Sequence, residues 1–195
     1  MTSAFDGSPT TPPPRDETSA SKQARARSLR DLLFAKPDVT AYAVLDGASI
    51  KDLLGKLQEQ APNHACLFAG KLHPSEVQTA PYVVELQPDA EFTRWVLEEG
   101  FGKHWGIFAT TEAPLKAFRK HLKTFLRVTG PDGKQLYFRY YDPRVFRVYL
   151  PTCNAAETEL VFGPVLSYLM EDEAAEKLLV FEPRSDGPKQ KVVPL

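Results

Sequence analysis

Three carboxylates in this chain stand where an α/β enzyme would hold a metal ion. Asp46 and Asp142 each follow a predicted strand, and Glu85 lies near the end of another. Ligands of α/β sheets gather beyond the carboxyl ends of the strands, where carboxylates could bind a divalent cation that activates water. Such a site would suit a metal-dependent hydrolase or nuclease. Each aspartate also has a structural explanation, because Asp46 precedes a glycine in a turn and Asp142 is placed as a helix N-cap.

A second kind of chemistry would need a nucleophile with a base beside it. His104 precedes a predicted strand and could activate the thiol of Cys66 or Cys153, but no spacing brings them together. The chain has no Gly-x-Ser-x-Gly elbow, no Gly-Lys-Ser/Thr phosphate loop and no His-Glu-x-x-His helix. We therefore expect no enzymatic activity, no catalytic residue, no metal ligand and no cofactor.

The densest run of aromatic and arginine residues extends from residue 136 to residue 147. Alternate side chains of a strand point to opposite faces, so Tyr137, Arg139 and Tyr141 would share one face. A proline then ends the strand and begins a short helix. Tyrosine, tryptophan and arginine dominate the energetics of protein interfaces. We predict a partner-binding cluster of Arg139, Tyr141, Asp142 and Arg144, with Trp105, at the start of a strand, as a further partner-binding residue. The sequence leaves a second role open, in which Arg139 pairs with Asp46 or Glu85 in the interior.

The charge of the same region raises nucleic acid as an alternative partner. Residues 116–147 contain nine Lys and Arg residues against Asp132 and Asp142, and aromatic side chains among cations could stack on single-stranded nucleic acid. The net charge of the whole chain is nevertheless −1, and cations on the outer face of an amphipathic helix are usually only solvated. We rank nucleic acid below a protein partner.

The elements that must position these residues alternate along the chain. Apolar runs predict strands near residues 39–45, 65–68, 81–86, 105–109, 165–170 and 178–181. Helical spacing predicts helices near residues 19–34, 49–57, 89–99, 114–125 and 155–162. Ser49 and Asp52 have the spacing of a capping box, Asp89 is placed as an N-cap, and residues 126–141 have the pattern of a hairpin. The pattern indicates an α/β layered domain, with α+β as the alternative, in which helices flank a mixed sheet.

Composition sets the limits of this domain. Residues 1–20 are rich in Ser, Thr and Pro and contain one large apolar residue, Phe5, so we predict a disordered N-terminal tail. Residues 21–182 form the predicted domain, and residues 183–195 a second, loose tail. Two distant cysteines suggest a reducing compartment, and no apolar stretch resembles a signal peptide or a membrane span. We expect a cytoplasmic protein without a membrane partner.

Five segments form an ordered series of motifs: 42–47, 80–86, 92–97, 102–108 and 136–144. Taken in this order, they resemble the domain-of-unknown-function family 4123 over roughly residues 39–181. The resemblance implies an adaptor chaperone of bacterial type VI secretion. Such a protein would bind a toxic effector in the cytoplasm and help to load it on the valine-glycine-repeat spike protein. The resemblance provides no catalytic residues to carry over, which agrees with the lack of a catalytic motif.

Overall fold

A seven-stranded sheet forms the centre of the protein in the computed structural model, which describes residues 18–130 and 132–195. Its strands are β1 (Thr40–Asp46), β2 (His64–Cys66), β3 (Pro81–Glu85), β4 (Gly106–Thr111), β7 (Val165–Glu171), β8 (Lys177–Glu182) and β9 (Lys189–Pro194). Two further strands, β5 (Arg127–Thr129) and β6 (Gln135–Tyr137), form a separate hairpin. The helices are α1 (Ser19–Leu33), α2 (Leu53–Gln60), α3 (Pro74–Thr79), α4 (Glu91–Glu99), α5 (Leu115–Leu122), α6 (Pro143–Tyr149) and α7 (Ala155–Phe162). A 3-10 turn, Leu150–Thr152, follows α6.

The strand order of the large sheet is β2-β3-β1-β4-β7-β8-β9, and each of its pairings is antiparallel. The predicted layered fold is confirmed, but the prediction of a mixed sheet is wrong. Alternation of strands and helices favours parallel neighbours. Here β3 and β4 run in the same direction, but β1 lies between them, antiparallel to both. Helix α4 connects β3 to β4 across this intervening strand.

Helices cover both faces of the sheet. The central strand β1 shows why, because Ala43 and Leu45 belong to one buried cluster while Tyr42 and Val44 belong to the other. The first cluster includes residues of α1, α2 and α4, and the second includes residues of α5, α6 and α7. Strands that are covered on both faces are apolar throughout rather than alternating. We call these two layers the α1–α4 layer and the α5–α7 layer.

The helix starts agree with the sequence prediction only in part. Asp142 is the N-cap of α6, as expected, and its side chain accepts a hydrogen bond from the backbone N–H of Arg144. The predicted capping box of Ser49 and Asp52 is absent, because Asp52 adopts a left-handed φ of 72° and makes no side-chain cap bond. Ala90 rather than Asp89 is the N-cap of α4.

The C-terminal segment also differs from its prediction. Residues 189–194 were expected in a loose tail, but they form β9, which pairs with β8 along its length from Lys177↔Pro194 to Glu182↔Lys189. Val193 is the one residue of β9 that packs against a core, and the first three residues of the strand are polar. The hydrophobic pattern of this sequence is therefore too weak to predict a strand. The backbone hydrogen bonds to β8 hold the strand in place, since its side chains contribute little hydrophobic contact. Residues 1–17, which include most of the predicted N-terminal tail, lie outside the described residues.

Two neighbouring valines on β9 test this packing. Val193 packs against the α1–α4 layer, whereas Val192 points to the other face and is 52% exposed. We expect Val193→Asp to lower the free energy of unfolding by about 1 kcal/mol or more, because a charge would enter a partly buried apolar site. Val192→Asp should change it by less than about 0.5 kcal/mol. Urea unfolding measures both, and equal, negligible effects would mean that the segment is loose in solution.

Candidate functional site

Asp46 is the buried centre of a charged cluster at one end of the sheet. It is the last residue of β1, and its side chain belongs to the same face as Tyr42 and Val44. One carboxylate oxygen accepts a hydrogen bond from the backbone N–H of Ala48 at 3.0 Å, and the other accepts from Ser49 Oγ at 3.0 Å and from Arg139 Nη2 at 2.7 Å. Both oxygens of the buried carboxylate therefore have donors, a neutral one on Oδ1 and a charged and a neutral one on Oδ2.

Asp142 is the second carboxylate of the cluster, and Arg144 binds it through two nitrogens. Arg144 Nε donates to Oδ1 at 3.0 Å and Nη2 donates to Oδ2 at 2.8 Å. Arg139 Nη2 lies 3.8 Å from Oδ2, so Arg139 bridges the two aspartates. Burial alone would raise the pKa of Asp142, but the hydrogen bonds from the side chain and backbone of Arg144 outweigh it and lower the pKa. The aspartate is therefore held in its charged form.

Tyr141 lies in the interior, although the sequence placed it in a partner-binding cluster. It is 4% exposed and belongs to the core of the α5–α7 layer, and burial raises the pKa of its hydroxyl. Asp142 is buried too, whereas the side chains of Arg139 and Arg144 are about half exposed, at 47% and 51%. The strand that was predicted to present these residues ends at Tyr137. Of the predicted contact residues in this cluster, only the two arginines reach the surface.

Trp105 is not part of this cluster. Its side chain packs against the α1–α4 layer, with its ring centroid 4.8 Å from that of Trp95, and Lys103 Nζ lies 5.4 Å from the ring centroid of Trp105. The link to Asp46 is through the backbone, since the N–H of Asp46 donates to the carbonyl of Trp105 at 2.8 Å. Trp105 thus lies on the face of the sheet opposite to Tyr141.

Glu171 is a further buried carboxylate at this end of the sheet, and the sequence analysis did not single it out. It ends β7, belongs to the face of Leu169, and accepts hydrogen bonds from the backbone N–H groups of Gly102 and His104. The ring Nδ1 of His104 also contacts it. Burial outweighs these partners and raises the pKa of Glu171. A glutamate that directly follows the apolar run 165–170 was the available signal.

The three carboxylates of the metal hypothesis do not converge. In the antiparallel register Glu85 is opposite Tyr42, whereas Asp46 is opposite Pro81, so the two acids lie at opposite ends of β1. Glu85 instead accepts hydrogen bonds from the side chains of Asn63 and Gln87. Among the residues that the structure describes, no three His, Cys, Asp or Glu side chains are grouped as metal ligands would be. The metal hypothesis required strands whose carboxyl ends meet at one edge of the sheet, and the antiparallel register separates Glu85 from Asp46 instead.

The nucleophile hypothesis has no geometric basis either. His104 contacts Glu171 rather than a cysteine. Cys66 is half-buried on β2 and Cys153 is buried beside Tyr149, whose carbonyl lies 3.7 Å from the sulfur. Burial raises the pKa of both thiols, which keeps them in the less nucleophilic protonated form.

Fold and site together define an α/β layered domain whose buried charges join loops to the ends of a sheet. The model of the family described as Domain of unknown function (DUF4123) matches residues 41–160, more than half of the chain. The chain therefore belongs to the DUF4123 family, which confirms the family resemblance of its motifs. No curated protein and no solved structure matches it. Within residues 18–130 and 132–195, no helix has the length and apolar character that a membrane crossing requires.

Replacing Asp142 tests whether the charged cluster stabilises the fold. Asp142→Ala removes the N-cap of α6, which is worth about 1 kcal/mol, and the bidentate ion pair with the half-exposed Arg144, which solvent weakens. We expect the free energy of unfolding to fall by about 1–3 kcal/mol. Asp31→Ala, which removes an exposed carboxylate from α1, should cost less than about 0.5 kcal/mol. Similar losses for the two variants in urea unfolding would contradict a specific role of the cluster.

The raised pKa of Glu171 predicts a pH dependence of known sign. A carboxyl whose pKa is higher in the folded than in the unfolded protein binds its proton more tightly when folded. The wild type should therefore gain stability relative to Glu171→Gln as the pH falls from neutral toward 4.5, the ordinary value for glutamate.

Glu182 provides a control of opposite sign. Its hydrogen bond from Lys191 lowers its pKa, so the wild type should lose stability relative to Glu182→Gln as the pH falls through the same carboxyl range. Urea unfolding of the three proteins between pH 4 and pH 7 measures both differences. The same sign for both variants would show that the hydrogen bonds from Gly102 and His104 outweigh burial and lower the pKa of Glu171.

Proposed function

We propose that this chain is a non-enzymatic adaptor or chaperone of type VI secretion. It binds a toxic effector in the bacterial cytoplasm and promotes the loading of that effector on the valine-glycine-repeat spike protein. The match of residues 41–160 to the DUF4123 family carries the proposal, because the resemblance to this family implies adaptor proteins of that secretion system.

The partners of the buried charges support a role without catalysis. The carboxylates of Asp46, Asp142 and Glu171 accept hydrogen bonds from an arginine, a second arginine and a histidine, respectively, and from backbone N–H groups. A catalytic carboxylate must instead approach a substrate, a water molecule or a metal ion. These acids already hold loops and helix ends together, so using them in catalysis would require the fold to release them.

The outer face of α6 supports a protein partner. Val145 and Val148 lie one turn apart and are 36% and 67% exposed. The half-exposed side chain of Arg144 lies on the same short helix. Apolar side chains beside an arginine suit a protein interface, where a few anchors contribute most of the binding free energy. We place part of the partner surface here, with Arg139 and Arg144 at its edge and Tyr141 and Asp142 as the residues that position them.

Co-expression tests the proposed function. The effector encoded at the neighbouring locus should be poorly soluble alone, become soluble when it is expressed with this chain, and then bind the C-terminal part of the spike protein. Val148→Asp should weaken effector capture by about 2 kcal/mol, the cost of losing an interface anchor. Leu160→Asp, at a 55% exposed position on α7, is the matched control and should leave capture unchanged.

Other outcomes would contradict the proposal. An effector that remains insoluble beside the folded wild-type chain would remove the chaperone role. Turnover of an ester, phosphoester or glycoside substrate that is lost in Asp46→Ala would favour a hydrolase. Oligonucleotide binding at physiological salt that weakens steeply as salt rises would favour the nucleic-acid alternative. Thermal melting of each variant shows whether it is still folded.

A further inference from the structure

The hairpin β5–β6 is an apolar element outside the large sheet. All six of its strand residues are exposed, and three of them, Val128, Leu136 and Tyr137, are large and apolar. Five of the nine exposed large apolar side chains among the described residues lie between residues 128 and 148, in this hairpin and in α6. Scattered exposed apolar residues are normal, but such a concentration indicates an interaction surface.

The two faces of the hairpin differ. The ring centroid of Tyr137 lies 4.9 Å from that of Phe68. The guanidinium of Arg127 lies over the Tyr137 ring, and its Nη2 donates a hydrogen bond to the Tyr137 hydroxyl at 3.0 Å. Tyr137 thus connects one face to the body of the protein. Val128 and Leu136 are directly opposite each other in the register and lie on the other face. They form an adjacent apolar pair, 40% and 51% exposed, that no element of the described part of the chain covers fully.

The hairpin also has free strand edges. Its sheet contains two strands, so each strand has one edge without a neighbouring strand in the described part of the chain. Phe138 N–H donates to the Leu126 carbonyl, and Gly130 N–H donates to the Lys134 carbonyl. Because hydrogen-bonded and non-hydrogen-bonded pairs alternate along an antiparallel ladder, these two bonds show which backbone groups point to the partner strand and which point away from it. The outward N–H and C=O groups therefore belong to Arg127, Thr129, Gln135 and Tyr137. A two-stranded hairpin is marginally stable, and a third strand would satisfy its edge.

The charge of the segment around the hairpin indicates which residue types a third strand would carry. Residues 116–147 contain nine Lys and Arg residues against Asp132 and Asp142. Both acids are already paired, Asp132 with Lys134 at 3.0 Å and Asp142 with Arg144 at 2.8 Å. The hairpin thus belongs to a chain segment in which cations far outnumber acids, and a partner with carboxylates beside its apolar residues is complementary.

We propose that the β5–β6 hairpin is the effector-binding edge of this adaptor. An extended segment of the effector, with apolar residues flanked by Asp and Glu, adds to the hairpin as a third strand. The backbone of this segment forms hydrogen bonds with the outward N–H and C=O groups of one hairpin strand. Its apolar side chains cover Val128 and Leu136. In this mode of recognition the main chain supplies affinity and the alternate side chains supply specificity. The inference rests on the proposed function and adds the site and the chemistry of the bound segment.

Substitutions at Leu136 test the site with the neighbouring-locus effector as the probe. Leu136→Asp should weaken the apparent affinity of effector capture at least about 10-fold, because it removes an apolar anchor and adds a repelling charge. Leu136→Lys should weaken capture less than Leu136→Asp does. Val192→Asp is the control, since its position on β9 is 52% exposed and that of Leu136 is 51% exposed. It should capture the effector as the wild type does.

Hydrogen exchange locates the bound segment directly. In the complex, the amides of Thr129 and Gln135 should exchange more slowly than in the free chain if an added strand covers the edge to which they point. Unchanged exchange at both hairpin edges, or wild-type capture by Leu136→Asp, would overturn the inference while leaving the adaptor function intact. A lack of capture by the wild type would instead reject the proposed function itself. Oligonucleotide binding that Leu136→Asp abolishes would assign the hairpin to nucleic acid.

Discussion

The burial of the Asp46 carboxylate at the end of the central strand constrains the path of the chain around it. Asp46 is 1% exposed, and a buried charge costs several kcal/mol unless donors replace the lost water. Those donors come from the turn after β1 and from Arg139, which is distant in sequence. The segment between β6 and α6 must therefore return to the centre of the sheet. Asp142, Arg144 and the start of α6 take their positions from that requirement.

The opposite face has a corresponding arrangement. Leu45 pairs with Gly106 on β4, and the register of β4 with β7 places Glu171 beside the same end of the sheet. Asp46 holds a segment of the α5–α7 layer, and Glu171 holds the loop between α4 and β4 on the α1–α4 side. On each face, a buried acid at the end of a strand thus secures a connection. These acids, together with Arg139 and His104, therefore have structural roles at this end of the sheet.

Periodicity and proline chemistry were sufficient to predict most elements and the N-cap at Asp142, because these depend on neighbours within a few residues. The antiparallel register could not be predicted, since the sequence does not record that β1 lies between β3 and β4. That register separates Glu85 from Asp46. The same limitation applies to Tyr141, whose burial depends on where the chain turns after Tyr137, and to β9, whose order depends on pairing with β8. Family membership was predicted because ordered motifs are a property of the sequence itself.

The two edges of the large sheet have a consequence for the proposed adaptor function. An open edge is a template for unwanted strands, and short length, lysines and proline are the usual protection. One edge, β2, is three residues long, and the other, β9, carries Lys189, Lys191 and Pro194. The main sheet thus discourages uncontrolled growth. An extended guest chain would be received away from this sheet, so that each molecule would hold its guest without becoming the seed of a larger aggregate.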